Sequence, residues 1–223
     1  MDKSLIISED GSHTIWEPSI NEHYHSIHGA IEESEFVYIQ NGLSKIPQKD
    51  IYVFELGFGT GLNAFLSIIY GIEQNVRIYY ETIELYPISK DVWSNLNYGN
   101  YKESNYRLFF ENLHASEWDT EKFIKISENF YFKKHHSDFL NFNMENNYDV
   151  FYFDSFSPDK VPHLWNIEVF KNIYPKLNNN GILTTYCSKG IVKEALRQAG
   201  FSVKRIKGLN YKKHIINAVK VQH

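Results

Sequence analysis

Three glycines at alternate positions, Gly57, Gly59 and Gly61, follow an apolar run at residues 51–56 and lead into a helical pattern that reaches about Tyr70. Glycines at such a junction permit positive φ and leave no Cβ between the turn's amides and a ligand. The order is G-x-G-x-G, with Phe58 and Thr60 between the glycines, Asn63 shortly after and an acid, Glu55, two places before. A dinucleotide turn reads G-x-G-x-x-G, so this spacing points to another nucleoside cofactor, with a plain strand-to-helix turn as the alternative. Glu84 ends a β-branched and aromatic run at 76–84, 25 positions after Gly59. A carboxylate there can accept hydrogen bonds from both ribose hydroxyls, unless it is simply a solvated strand end. Asp138, after the run 129–138, is placed to accept from an adenine amino group, with Phe139 beside the ring. Asp154 closes the run 148–154 and opens the loop DSFSPD at 154–159, which carries Phe156 and Pro158. A carboxylate at that point can hold an amine, orient its lone pair and stabilise the nitrogen as it becomes cationic; as a bland alternative, Asp154 is a turn former.

These residues need a scaffold that gathers strand ends. After the turn and Glu84, the pattern gives a helix at 87–96, a helical insertion at 97–128, strands at 129–138 and 148–154, and a helix at 165–177. A turn at 178–181, a strand at 182–187 and a helix at 190–198 follow, the helix closed by Gly200. Runs at 201–206 and 214–221 make a terminal antiparallel hairpin. Alternating strands and helices imply an α/β fold: a doubly wound, mostly parallel, Rossmann-like sheet whose ligands collect outside the carboxyl ends of the strands. Residues 1–48 are expected as a β-rich extension or lid packed on a core of 49–223.

Composition narrows the class. With 223 residues, 43% hydrophobic and 16% aromatic, the chain can bury one good core. No stretch is apolar for long enough to span a bilayer, and the first residues lack a signal-peptide core, so a cytoplasmic location is expected. Cys187, the single cysteine, excludes an internal disulfide and a thiolate metal site. His23, His25 and His28 lie close in sequence, yet no acid or thiolate at diagnostic spacing joins them, so no metal is expected. Charge is polarised: from Cys187 onward Lys189, Lys193, Arg197, Lys204, Arg205, Lys207, Lys212, Lys213 and Lys220 face one acid, Glu194, giving +8 against -12 for the rest. A basic C-terminal region suits RNA phosphates, or is a solvated face.

Together, DGSHT at 10–14, NEHYHSIHGAIEES at 21–34, the turn 55–63, DVFYFDSFSP at 149–158, Leu164-Trp165, Asn180-Gly181 and ALRQAGF at 195–201 resemble the MnmC-type methyltransferases of tRNA wobble-uridine modification. The likeness covers nearly the whole chain and is strongest to the stand-alone, MnmD-type versions that lack an FAD-dependent oxidoreductase half. It implies a class I fold and S-adenosyl-L-methionine (AdoMet)-dependent N-methylation of the exocyclic amine of 5-aminomethyl-(2-thio)uridine in tRNA. Matched by position, the family's cofactor turn falls on Glu55, Gly57, Phe58, Gly59, Thr60, Gly61 and Asn63, its ribose acid on Glu84, its adenine-side acid on Asp138 and its catalytic acid on Asp154. Two places depart from the family pattern: Ser137 replaces the usual glycine before Asp138, and the fifth strand exits through YCSK at 186–189. Tyr24, His25 and Ser26 are expected in a lid over cofactor and acceptor, or else in a surface hairpin. Two other functions use the same features: an aminopropyltransferase-like enzyme taking decarboxylated AdoMet, and a non-catalytic RNA-binding module.

Overall fold

The computed structural model describes residues 3–103, 106–209, 211 and 214–221. At the N-terminus β1 (Ser4–Ile7), β2 (His13–Glu17) and β3 (Glu22–His23) form a small antiparallel sheet. Helix α1 (Ala30–Ser34) then runs on as a π-helical turn, Glu35–Gln40. The rest alternates: β4 (Asp50–Leu56), α2 (Leu62–Gln74), β5 (Arg77–Glu84), α3 (Lys90–Trp93), α4 (Arg107–Ala115), β6 (Ile124–Ser127), β7 (Phe130–His136), β8 (Tyr148–Phe153), α5 (Ile167–Ile173), β9 (Leu177–Thr185), α6 (Gly190–Gln198), β10 (Ser202–Lys207) and β11 (His214–Val219).

The eight later strands form one sheet in the order β10-β11-β9-β8-β4-β5-β7-β6. The five central strands, β9 to β7 in that order, are parallel, and β6, β10 and β11 join antiparallel. From β4 the chain moves outward through β5 to β7, then returns to the other side of β4 as β8. The switch point therefore lies beyond Leu56 and Phe153, where a doubly wound sheet opens a crevice. One face packs Val53, Tyr80 and Tyr152 against α2 and α4, and the N-terminal Ile15, Val37, Tyr38 and Leu43 join that same core. The other face packs Phe54, Phe151 and Phe153 against α5 and α6.

The mostly parallel sheet, the terminal hairpin and the β-rich N-terminus agree with the sequence reading. Other expectations need correction. The helix read at 87–96 shortens to α3, because Pro87 and the extended Ser89 delay its start. The insertion at 97–128 is not all helical; its end pairs with β7 as edge strand β6. The turn at 178–181 lies inside β9, as a bulge carrying Asn180 at φ 64°.

Candidate functional site

All three glycines of the turn have positive φ, 95°, 50° and 74° for Gly57, Gly59 and Gly61. Their missing Cβ atoms make room for protein as much as for a ligand. A Cβ on Gly57 would meet the Asp154 carbonyl oxygen at 2.6 Å, one on Gly61 would meet His114 Nε2 at 2.9 Å, and one on Gly59 the Tyr24 ring at 3.1 Å. Nor are the first amides free: Gly57 and Phe58 donate to Ile83 O, and Gly59 N donates to Glu84 Oε2 at 3.0 Å. With these donors spent, the turn is no phosphate cradle of the dinucleotide kind. Glu84 also accepts from Tyr86 N at 2.8 Å through Oε1, which fixes the carboxylate at the strand end while each oxygen retains acceptor capacity.

The outer side of the turn is held from two directions. His25 Nε2 lies 2.6 Å from Thr60 Oγ1, and desolvation pushes its imidazole down to about 4, so the ring is neutral at pH 7. His114 Nε2 donates to Thr60 O at 3.0 Å, its ring stacks on Trp93, and burial pushes it down to about 3. Behind it, Lys134 Nζ donates to the last carbonyls of α4, Leu113 O and His114 O, beneath the face of Trp118. Burial lowers this lysine to about 8.

Asp154 follows β8 directly, and its carboxylate is gripped by two donors: Tyr38 OH to Oδ1 at 2.5 Å and Asn63 Nδ2 to Oδ2 at 2.7 Å. Tyr38 comes from the π-helical turn and Asn63 from the first turn of α2. Burial, and next the Asp154 charge, raise the Tyr38 and Tyr186 phenols well above their usual range, so both keep their protons. The loop after Asp154 is anchored as well. Tyr186 OH donates to Ser155 O at 2.9 Å, Trp165 Nε1 to Phe156 O at 2.7 Å, and Ser157 donates to Glu22 through N and Oγ.

Turn, ribose-side acid and Asp154 border one cavity of about 630 Å³. Of the sequence candidates, Gly57, Phe58, Gly59, Glu84, Asp138, Phe139, Asp154, Phe156, Tyr24, His25 and Ser26 line it. Glu55, Thr60, Gly61 and Asn63 stand behind its wall, all at most 2% exposed where buried polar groups are concerned, and Pro158 lies off it. Asp138 caps the short turn Phe139–Asn141 by accepting from Leu140 N at 2.9 Å, and Phe139 packs edge-on against Phe151. Tyr24 lies over Gly59, edge-on to Phe156, with its hydroxyl accepting from Lys3 Nζ at 2.6 Å. The sequence reading missed Tyr38, Tyr186, Glu22, Glu33 and His163. Tyr186 was visible only as part of the strand exit, and the others carry no local signal. Among the described residues, five carboxylates (Glu22, Glu33, Glu84, Asp138 and Asp154) and no Lys or Arg border the cavity. That wall favours a cationic occupant.

The N-terminal histidines go separate ways: His23 packs on Trp16, His25 on Thr60, and His28 on Glu9 and Tyr211. Among the described residues no group of three or more His, Cys, Asp or Glu is arranged to hold a metal ion. No helix there is long and apolar enough to cross a membrane.

A family profile described as S-adenosyl-L-methionine-dependent methyltransferase matches residues 116–221. The tRNA 5-methylaminomethyl-2-thiouridine biosynthesis bifunctional protein MnmC of Campylobacter fetus subsp. fetus is 29% identical over 205 residues, spanning 90% of this chain and 33% of the relative. The protein of the same name from Paraburkholderia phymatum is 26% identical over 91% of this chain and 33% of its own length. The chain thus spans about a third of the curated relatives it matches. Among solved structures, MNMC2 from Aquifex Aeolicus superposes with a TM-score of 0.79 at 23% identity, covering 97% of this chain and 69% of that one. The CurJ carbon methyltransferase shares the fold at a TM-score of 0.52 and 14% identity, over 89% of this chain and 57% of its own.

Proposed function

We propose that this chain, an MnmC-like class I methyltransferase that depends on AdoMet, methylates the exocyclic primary amine of 5-aminomethyl-(2-thio)uridine at the wobble position of tRNA. The observation that carries this reading is the single acid-walled cavity joining the glycine turn and Glu84 to Asp154. AdoMet is a nucleoside without phosphates and carries a sulfonium cation, so it suits a turn whose amides are spent and a wall without Lys or Arg. In this reading Gly57, Gly59 and Glu84 seat the nucleoside, with Asp138 and Phe139 on the adenine side. Glu55, Thr60, Gly61 and Asn63 support the turn from behind. AdoMet, when bound, supplies the methyl group. Asp154 receives the amine, aligns its lone pair and offsets the charge that develops on nitrogen. Tyr24, His25 and Ser26, from an extension at 1–48, cover the turn of the 49–223 unit, and Phe156 and Pro158 shape the acceptor loop.

The basic C-terminal region supports the tRNA part of the reading. Strand register sets Arg205 opposite Ile216 and Ile216 opposite Thr185, so Arg205 and Lys207 stand at the same end of the sheet as Tyr186 and Asp154. Three strand spacings separate β10 from β8, roughly 14 Å. Phosphates of an RNA whose base enters the cavity can rest along that edge, with Lys204 and Lys193 beside it. Lys212 and Lys213 lie outside the described residues. A tRNA substrate also places the reaction in the cytoplasm.

The decisive experiment is mass analysis of wobble nucleosides after incubating amine-bearing tRNA with the protein and labelled AdoMet. A gain of one methyl group on the aminomethyl nucleoside is expected, and transfer only to polyamine precursors would overturn the substrate assignment. Asp154→Ala is expected to lower turnover about 100-fold while AdoMet affinity stays within about 2-fold. A variant with normal turnover would show that the amine sits elsewhere.

A further inference from the structure

Glu55, the acid ahead of the glycine turn, does not border the cavity. Its side chain is fully buried; Oε1 accepts from Asn63 Nδ2 at 3.0 Å and Oε2 from Thr82 Oγ1 at 2.9 Å. The same Asn63 nitrogen donates to Asp154 Oδ2 at 2.7 Å, while Tyr38 OH holds Oδ1. An amide nitrogen has two hydrogens, so Asn63 divides its pair between two carboxyl groups. Its own Oδ1 is buried with no hydrogen-bond partner among the described residues, so the donor side alone fixes the amide's orientation. Two ionised carboxylates sharing one amide would repel each other. Burial first, and the Asp154 charge second, push the Glu55 carboxyl well above the usual range. The two acids are thereby sorted, Glu55 keeping a proton and Asp154 the charge.

We propose that Glu55, Asn63 and Tyr38 are positioning residues for the acceptor side: Glu55 is a neutral strut that orients Asn63, and Asn63 with Tyr38 clamps both oxygens of Asp154 toward the incoming amine. The inference rests on the reading of Asp154 given above. Three separate elements contribute, the π-helical turn, β4 and α2, so the carboxylate cannot rotate without breaking a bond to at least one of them. The titratable groups around Asp154 are Tyr38, Glu55, Tyr80 and Tyr186, with Glu22 and Glu33 on the same cavity wall. The four phenol and carboxyl neighbours of the first set are all held in their neutral forms, so Asp154 is the charged member of its immediate surroundings.

Two variants test the clamp. Tyr38→Phe removes one hydroxyl from a buried site without changing its shape, and is expected to lower kcat about 10-fold with KM for AdoMet within about 2-fold. The acid limb of its kcat profile should move to higher pH, because a carboxylate that loses a donor gains proton affinity. The same shift is readable without any acceptor, by ¹³C NMR titration of carboxyl-labelled aspartates, with Asp154 assigned from the Asp154→Asn spectrum. Glu55→Gln preserves shape and neutrality and should keep kcat within about 3-fold, whereas Glu55→Ala should lose about as much as Tyr38→Phe. An Asp154 titration unmoved by Tyr38→Phe would overturn the clamp, as would a Glu55→Gln protein no better than Glu55→Ala. A wild-type protein that transfers no methyl group to amine-bearing tRNA overturns the reading of function instead, and the NMR titration still decides the clamp.

Discussion

Glu55 and Glu81 are buried glutamates on neighbouring strands, and the two faces of the sheet give them opposite charge states. Register sets Glu55 beside Thr82 and Glu81 beside Phe54, so one points to the face covered by α2 and the other to the face covered by α5. Glu55 meets only the neutral donors Asn63 and Thr82, and a negative charge lies next to it. Glu81 receives His135 Nε2 at 2.7 Å, Tyr148 OH at 2.6 Å and Asn146 Nδ2 at 3.1 Å, with Lys133 Nζ 3.9 Å away. Burial raises the Glu81 carboxyl, but the hydrogen bonds from His135, Tyr148 and Asn146 outweigh it and the net shift is downward. Burial alone therefore does not decide whether an acid ionises. The number of donors and the sign of the nearest charge do.

If the second face uses its glutamate as a brace, the largest effect should be on stability. Glu81→Ala leaves His135, Tyr148 and Asn146 without their common acceptor and should destabilise the fold by about 3–5 kcal/mol, lowering the thermal midpoint by about 10 °C. Turnover below the transition should stay within about 3-fold, since the site lies on the other face. A loss under about 1 kcal/mol would mean that the two glutamates differ little.

A smaller effect sharpens the contrast in pH. The folded-state pKa of Glu81 is depressed, so its contribution is present above the ordinary value of 4.5 and is lost as pH falls through the folded value. That of Glu55 is raised, so its contribution is complete below 4.5 and declines as pH rises toward the folded value. In urea unfolding between about pH 3 and 8, wild type should gain on Glu81→Gln as pH rises from acid, and lose ground to Glu55→Gln above about 4.5. Parallel curves for the two variants would refute the opposite charge states. The smallest effect belongs to the rim of the site face. Lys3→Ala frees the Tyr24 hydroxyl and Glu17 but removes only a part-exposed pair, so AdoMet affinity should weaken about 2-fold by calorimetry. A change above 10-fold would make Tyr24 a principal contact.

The fold was legible where patterns are local. Gly57, Gly59 and Gly61 announce a strand-to-helix junction by themselves, and the aromatic and β-branched runs that became β5 and β8 are buried along most of their length. Strand β6 escaped notice because it has only four residues, at the edge of the sheet, among polar neighbours. The site was half legible. Glu84 and Asp154 end their strands, which any parallel sheet brings to one rim. Tyr38 is 116 positions from Asp154, and a contact of that kind depends on how the extension packs on the sheet, which residue spacing does not encode. Glu55 did leave a hint: it alternates with Ile51 and Val53, both fully buried, so its position in β4 already implied the core rather than the ligand.

Tyr38 sits on a π-helical turn, and this makes the clamp sensitive to the length of the chain as well as to its side chains. A π turn accommodates one residue more than an α-helical turn can. Deleting a single residue between Glu35 and Gln40 would let the segment relax into ordinary helix while swinging whatever follows by about 100° around the axis. The phenol would then leave the carboxylate although no residue of the site had been replaced.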